Sequence, residues 1–345
     1  MPNPLVNWES RIGRRLSLRD LHVLLAVVQW GSMAKAASHL AISQPAISKA
    51  IADLERAVGV RLLDRSPGGI EPTLYGRALI RRGLAVFDEL RQGINEIEFL
   101  ADPTTGEVRI GCPESIAAGL LPGVVERFSR DYPRMVLRVT QAQTVTLEFR
   151  ELRERNVDLM IGRVARPFVE EGLAAEFLFD EPLYVVAGVQ SRWAKRRKLS
   201  LAELVNERWI LTPPNEVLSS PIAAAFHAQG LETPRATVVS FSFHLRNYLL
   251  ANTDFLSLIP ASMLRLFNAR QTVLKALSVD AAIAPLPVAI VTLKNRTPTP
   301  EVQLFVDCAR EVAKTIMKAP EFHSPAGARG LRLGNSVGRR RRPRR

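Results

Sequence analysis

Between Leu18 and Val58 the apolar positions fall at three- and four-residue steps and are interrupted twice by turn residues, which predicts three short helices. The first, Leu18 to Gln29, turns Leu21, Leu24, Leu25 and Val28 to one side and stops at Gly31, a residue suited to a left-handed cap. Ser32 can cap the second, Met33 to Leu40, in which Met33, Ala36, Ala37 and Leu40 share a face. Ala41, Ile42 and Ser43 make the turn, with Ile42 set into the core. Ser43 caps the third helix, Gln44 to Val58, and Pro45 sits in its first turn, where a missing amide costs least. Burying Ala46, Ile47, Ile51, Leu54 and Val58 leaves Gln44, Pro45, Ser48, Lys49 and Asp53 facing outward.

The period then changes. Val60 to Arg65 reads as an alternating strand, Ser66-Pro67-Gly68-Gly69 as a hairpin tip, and Ile70 to Pro72 as its return. Thr73 can cap a long helix reaching Ala101, along which Leu79, Gly83, Val86, Leu90, Gly93, Ile97 and Leu100 form a seam of the coiled-coil kind. A single apolar stripe on a long helix predicts pairing with a second copy of the chain. Asp102 to Gly106 breaks the helix. Beyond it strands alternate with helices, the pattern of an α/β layer fold. Strands are expected at Glu107–Cys112, Met135–Thr140, Asp158–Gly162, Leu183–Val189, Trp209–Leu211, Ala236–Ser240, Phe255–Ile259 and Leu286–Leu293. Helices are expected at Ile116–Asp131, Thr144–Arg155, Ser219–Gln229, Phe243–Ala251, Ser262–Phe267 and Pro300–Met317.

Composition changes this picture only in part. With 345 residues, 47% hydrophobic and 23% charged, the chain has the make-up of a globular protein of two or three domains. Its net charge of +13 favours polyanionic partners. Much of the excess lies in Arg329, Arg332, Arg339, Arg340, Arg341, Arg342, Arg344 and Arg345, a tail whose charge can add non-specific phosphate contacts. Arg11, Arg14 and Arg15 ahead of the apolar run Leu21 to Trp30 mimic a signal peptide, with Ala34-Lys35-Ala36 as its cleavage site. Asp20 and His22 interrupt that run and its helical spacing marks a core helix instead. No apolar segment approaches the ~20 residues that span a bilayer, so no membrane partner is expected, while the scarcity of cysteine points to a reducing cytoplasm. Two distant cysteines, Cys112 and Cys308, read as buried apolar thiols rather than a disulfide.

Chemistry concentrates on the third helix. A turn followed by a helix that opens with Gln44, Pro45, Ser48 and Lys49 suits a major groove, where Gln can pair with adenine and Lys can reach guanine or phosphate. Arg65 on the predicted wing is placed for phosphate. Ser32-Met33-Ala34-Lys35 matches the S-x-x-K spacing of acyl-enzymes. No second motif supports that chemistry, and the pair is read as a cap with a phosphate-facing Lys35. His22, His39, His227, His244 and His323 lack ligand spacing. No catalytic residue, metal site or cofactor is expected, and the chain is not read as an enzyme.

Gly31-Ser32, Ala36-Ala37, Leu40, Ser43-Gln44-Pro45-Ala46, Ser48, Ile51, Leu54-Glu55, Gly59, Arg61-Leu62, Arg65 and Thr73 resemble, at fixed spacing, the LysR-type transcriptional regulators, and the likeness extends over residues 18 to 318. Leu63 stands where an aromatic residue is frequent in that family. The resemblance implies a multidomain chain: an N-terminal all-α winged helix-turn-helix with a long linker helix, then an α/β effector domain of two subdomains similar to periplasmic binding proteins. The parts expected in this chain are the DNA-binding domain 18–73, the linker helix 74–101, a hinge 102–106 and the effector domain 107–320. Composition, not the resemblance, adds the expectation of a mobile leader 1–17 and a disordered basic tail 321–345. Within the effector domain, subdomain I takes 107–182 and 285–318, and subdomain II takes 183–284.

Carried over by position, the resemblance implies DNA contacts from Ser32, Lys35, Ser43, Gln44, Pro45, Ser48, Lys49 and Arg65, and effector contacts from Ser115, Thr144, Arg163, Phe241 and Ser242. Ser115 and Thr144 can also be helix caps, and a cap beside a cleft presents amides that suit a carboxylate. Arg163 can pair with a ligand acid or with Asp158. Ile161-Gly162-Arg163 and Thr212-Pro213-Pro214 look similar to the branch that senses sugars or aromatic acids. The implied partners are double-stranded operator DNA, a small effector (an organic acid, aromatic acid or sugar derivative), a second copy in a homodimer or homotetramer, and RNA polymerase. Two other readings of the residues stand beside this one: a charge-driven architectural DNA binder and a solute-binding protein.

Overall fold

The computed structural model describes residues 16–66, 69–142, 149–213, 220–268 and 273–318. The leader up to residue 15, the hairpin tip Pro67-Gly68, Thr144 with the expected start of its helix, and the arginine tail lie outside the described residues. The chain divides into two compact units, residues 1–101 and 102–345.

In the first unit, α1 (Leu18–Trp30), α2 (Met33–Leu40) and α3 (Gln44–Val58) form as the spacing predicts, each closed by a left-handed residue at Gly31, Ala41 and Gly59. Helix α1 buries Leu21 and Leu24 as expected, but also Val23, Ala26 and Val27, while Leu25 and Val28 are half-buried. The reason is that α1 is packed by α2, α3 and the long helix together, so more than one of its faces is covered. Ser17 caps α1 by accepting from the Asp20 amide at 3.1 Å. Ser32 does not cap α2 through its side chain, contrary to expectation; only its carbonyl takes part, accepting from Ala36.

The wing is a two-stranded hairpin, β1 (Leu63–Ser66) and β2 (Gly69–Pro72), paired from Leu63↔Pro72 to Ser66↔Gly69. It starts three residues later than the alternation suggests, and Leu62 and Leu63 are both buried, which alternation forbids. Glu55 explains the delay: its carboxylate accepts from the Leu62 amide at 2.7 Å and the Leu63 amide at 3.2 Å, which holds those groups out of a ladder. Thr73 then caps α4 (Leu74–Ala101), accepting from Gly76 at 3.0 Å and donating to the Arg61 carbonyl at 2.8 Å.

Along α4 the expected seam divides. Leu79, Ile80 and Phe87 pack on the helical core, and a Cβ at Gly83 would lie 2.9 Å from the Leu21 side chain, so this stretch serves its own unit. Farther on, Val86, Leu90, Ile94, Ile97 and Leu100 are exposed, from 42% to 76%.

The second unit contains two five-stranded sheets. The first has the order β4-β3-β5-β12-β6, built from β3 (Thr105–Cys112), β4 (Arg134–Gln141), β5 (Leu159–Arg163), β6 (Leu173–Glu181) and β12 (Leu286–Leu293). Here β3 is parallel to β4 and β5, while β12 is antiparallel to β5 and β6. The second has the order β11-β7-β10-β8-β9, from β7 (Leu183–Gly188), β8 (Trp209–Leu211), β9 (Ala236–Val239), β10 (Leu256–Pro260) and β11 (Leu274–Ala276). Its β8, β9 and β10 are parallel. The central strands β5 and β10 are buried at every position, as strands covered on both faces must be. The chain crosses between sheets at Pro182 and again ahead of β12.

Helices α5 (Glu114–Gly119), α6 (Leu121–Asp131), α7 (Arg150–Arg153) and α11 (Pro300–Met317) belong to the first sheet; α8 (Ser220–His227), α9 (Phe243–Asn252) and α10 (Ala261–Phe267) follow strands of the second. The single helix expected from Ile116 to Asp131 is two. Pro122 lacks the amide and crowds the preceding turn, so α5 ends at Gly119 and α6 begins afresh at Leu121. The break lets α5 meet α10, where a Cβ on Gly119 would clash with the Ser262 hydroxyl. Strand β3 starts at Thr105, so the turn after α4 is shorter than the expected hinge; Asp102 closes it by accepting from the Thr104 amide at 3.0 Å. Strands β6 and β11 have no counterpart in the sequence reading.

Candidate nucleic-acid interface and ligand junction

Helix α3 begins with Ser43, whose hydroxyl accepts from the Ala46 amide at 3.4 Å, and with Pro45 in the first turn. The side chains of Ile47, Ile51 and Leu54 anchor it, which fixes the opposite face. Gln44, Pro45 and Lys49 are exposed on that face, and Lys35 is exposed on α2 beside it. Ser48 is half-buried and its hydroxyl donates to the Met33 sulfur at 3.4 Å, so it leans toward α2; Ser32 is also half-buried. Arg65 lies on β1 opposite Ile70, and its side chain is outside the described residues. A small polar helix start that presents one lysine and one glutamine outward is suited to base edges and phosphates.

In the second unit the carboxyl ends of the parallel strands bring together residues from both sheets, the place where open α/β sheets hold ligands. Arg163, at the end of β5, is buried. It pairs with Glu181 at the end of β6, at 2.9 Å from Nε to Oε2, and donates from Nη1 to the Ser115 hydroxyl at 2.8 Å. Its partner is therefore Glu181 and not Asp158, which instead holds Arg109 and Arg296 at 2.7 Å each. The Glu181 carboxylate also accepts from the Ser262 amide at 3.0 Å, linking the crossover at Pro182 to α10. Ser115 lies within the first turn of α5 rather than at its cap, which is Pro113; its hydroxyl serves Arg163.

On the other sheet, Ser242 caps α9 by accepting from Leu245 at 3.3 Å, and Phe241 is 38% exposed. The Phe243 amide, the first of α9, donates to Glu114 Oε2 of α5 at 3.2 Å across the junction. Arg246, one turn further, is 6% exposed and donates from Nη2 to the Ser240 carbonyl at 2.8 Å. Burial pushes its guanidinium down to about 10, against the pull of Glu114, so it remains charged at neutral pH. Ser115 and Arg163 meet through a hydrogen bond, Phe241 and Ser242 directly precede Phe243, whose amide reaches Glu114, and Thr144 is outside the described residues.

Glu114, Glu181 and Arg246 are missing from the sequence reading. Arg246 carries a signal: it stands four residues before the fully buried Leu250 on the same helix face. Cys112, at the end of β3, is fully buried and its thiol is pushed up to about 12 by that burial, as a packing residue should be. Cys308 is only half-buried, unlike the expectation, with its thiol 3.7 Å from the Val124 carbonyl.

Compared with known families, residues 18–77 match "Bacterial regulatory helix-turn-helix protein, lysR family" and residues 101–314 match "LysR substrate binding domain". The chain is 28% identical to the HTH-type transcriptional regulator GbpR of Azospirillum brasilense over 95% of each chain. It is 27% identical to the HTH-type transcriptional regulator TdcA of Escherichia coli over 85% of this chain and 92% of that one. Among solved structures it is similar to a full-length OxyR variant from Pseudomonas aeruginosa, with TM-score 0.63 and 21% identity over 87% of this chain and 95% of that one. It is also similar to CbnR, a LysR family transcriptional regulator, with TM-score 0.62 and 20% identity over 86% and 99% of the two chains.

Proposed function

Since the chain belongs to the LysR family of transcriptional regulators, with a helix-turn-helix DNA-binding domain and an effector-binding domain, we propose the residues and the assembly through which it acts. Ser32, Lys35, Ser43, Gln44, Pro45, Ser48, Lys49 and Arg65 form the operator-contacting set, with Gln44 and Lys49 reading bases and Lys35 and Arg65 holding phosphates. Two such sets act together. The exposed apolar stripe from Val86 to Leu100 on α4 is the support for a homodimer, or a tetramer of two such pairs, on a dyad whose half-sites fall one or more helical turns apart.

The effector, an organic acid, aromatic acid or sugar derivative, sits at the junction of Ser115, Arg163, Phe241 and Ser242, and Thr144, which lies outside the described residues, is a further contact that the family resemblance implies. The carrying observation is that Arg163 bonds Ser115 while Glu114 bonds the first amide of α9, so residues from both subdomains converge there. An effector that favours one closure of the two sheets over another changes the placement of the two reading helices by that difference in affinity. Contact with RNA polymerase and action in the cytoplasm accompany this role. No described helix is long and apolar enough to cross a membrane.

The test is a calorimetric screen of small acids and sugars on the full-length protein, followed by footprinting of bound DNA with and without each hit. A hit that binds the wild type, fails to bind Ser115→Ala and alters the footprint supports the reading. A hit that leaves footprint and DNA bend unchanged overturns the coupling. Equal affinity for a bound and a scrambled sequence at fixed salt would favour a charge-driven architectural binder instead.

A further inference from the structure

Among the described residues, the junction holds a buried charge that no carboxylate pairs. Arg246 is 6% exposed, yet its guanidinium makes one hydrogen bond, to the Ser240 carbonyl, and its Nε is buried with no acceptor. No ion pair joins it among the described residues, although Arg163, Arg109 and Arg296 in the same unit all have carboxylate partners. A buried cation without a paired carboxylate is costly. A carboxylate from the other subdomain acts on it. Glu114 lies close enough to act on Arg246 electrostatically but outside pairing distance, and its carboxylate is spent on the Phe243 amide at the start of α9. A carboxylate at a ten-residue helix's positive end, one turn from a cation it does not reach, occupies the place where an anionic ligand would bind.

Resting on the reading that an effector binds at this junction, we propose that Arg246 and the first amide of α9 form a seat for the carboxylate of a small acid, and that Glu114 fills it until the acid arrives. The acid's carboxylate displaces Glu114 from the Phe243 amide and accepts from Arg246. Glu114 is thereby released from subdomain II, which couples occupancy to the contact between the two sheets. Neutral sugars of the same size have no group for this seat, so the effector class narrows to carboxylic acids.

The experiment uses the full-length protein at fixed ionic strength and millimolar formate, acetate and butyrate, each against its uncharged amide. Two readouts are taken: the shift of the thermal unfolding midpoint, and the ¹⁵Nε–H resonance of Arg246, assigned by its loss in R246K. The acids are expected to stabilise the wild type and move that resonance, and the amides to do neither. R246Q loses about ten- to a hundred-fold in acid affinity, the usual weight of a hydrogen bond to a charged group. E114Q gains affinity several-fold, because the competing carboxylate is gone. R246Q is checked for folding by circular dichroism, and E114Q tests the same seat without touching the buried cation.

Acids and amides acting alike, no acid-specific shift at all, or an affinity for acids that falls in E114Q would each overturn the seat. If the amides bind as well as the acids and both are lost in S115A, the junction remains an effector site and only the seat falls. If no ligand of the wider screen binds there either, both fall.

Discussion

Replacing Asp158 by Asn removes one charge from a buried cluster in which Arg109 and Arg296 both point at the same carboxylate at 2.7 Å. Burial alone would raise that carboxyl, but the hydrogen bonds and charge of Arg109, helped by Arg296, hold it down to about 2 against an ordinary 3.8. The difference corresponds to about 2 kcal/mol of stability. Because the folded-state value is depressed, the contribution is complete above the unfolded value and disappears as the pH falls toward 2. At pH 7 the loss in Asp158→Asn is therefore about 2 kcal/mol, rising toward about 4 kcal/mol if the two guanidiniums find no substitute acceptor. Urea unfolding followed by tryptophan fluorescence reads the second unit, since Trp209 is fully buried there and Trp193 is 8% exposed. The gap between wild type and variant should close between about pH 4 and pH 2, the window set by the two carboxyl values. A gap that stays constant over that range, or a loss below about 0.5 kcal/mol at pH 7, would refute the assignment of this cluster as a charged clamp.

Three further outcomes follow from the fold and the sites. Lys49→Ala should weaken specific DNA binding by about 1–3 kcal/mol and relax preference at one base position, whereas removing residues 327–345 should reduce the salt dependence and leave base preference intact, both measured by competition binding across salt. Ile97→Glu with Leu100→Glu places two charges on the exposed stripe of α4 and should shift the protein to smaller assemblies in sedimentation equilibrium while its helix content is kept, because Glu is a good helix former. Thiol labelling at about pH 8 should modify Cys308 in the native protein and Cys112 only after unfolding, since Cys112 is fully buried and its thiol is held at about 12.

Local rules suffice for much of the first unit. Gly31 and Gly59 end their helices as left-handed caps, Thr73 starts the long helix, and Pro45 sits where its missing amide is harmless. Such features depend on residues close in sequence. The failures come where distant groups decide. The wing begins late because Glu55 takes the Leu62 and Leu63 amides, and α1 buries Val23 and Val27 because three helices surround it. In the second unit, β6 escapes the pattern because its residues are buried and exposed without alternation and because it slips in register against β12 between Val288 and Ala289.

The candidate effector site is legible in outline and not in its partners. Ser115, Arg163 and Ser242 can be expected there, but nothing near Arg163 in sequence points to Glu181, eighteen residues away at the end of a strand the pattern does not reveal. Glu114, beside Ser115, gives no local sign of its role because that role depends on Phe243, a contact spanning 129 positions. Helix rules give no warning either, since the spacing predicts that α5 starts later and runs unbroken through Pro122.

If this chain reads DNA by sequence with paired recognition helices, the sites it selects must carry that pairing. The direct test is to incubate the purified full-length protein with fragments of its own genomic DNA at near-physiological salt, recover the bound fraction and sequence it. We expect a shared motif made of two inverted half-sites separated by whole helical turns, enriched by wild type and lost with Gln44→Ala or Lys49→Ala. A bound fraction without a common motif, or one that the two substitutions leave unchanged, would contradict sequence reading by these helices.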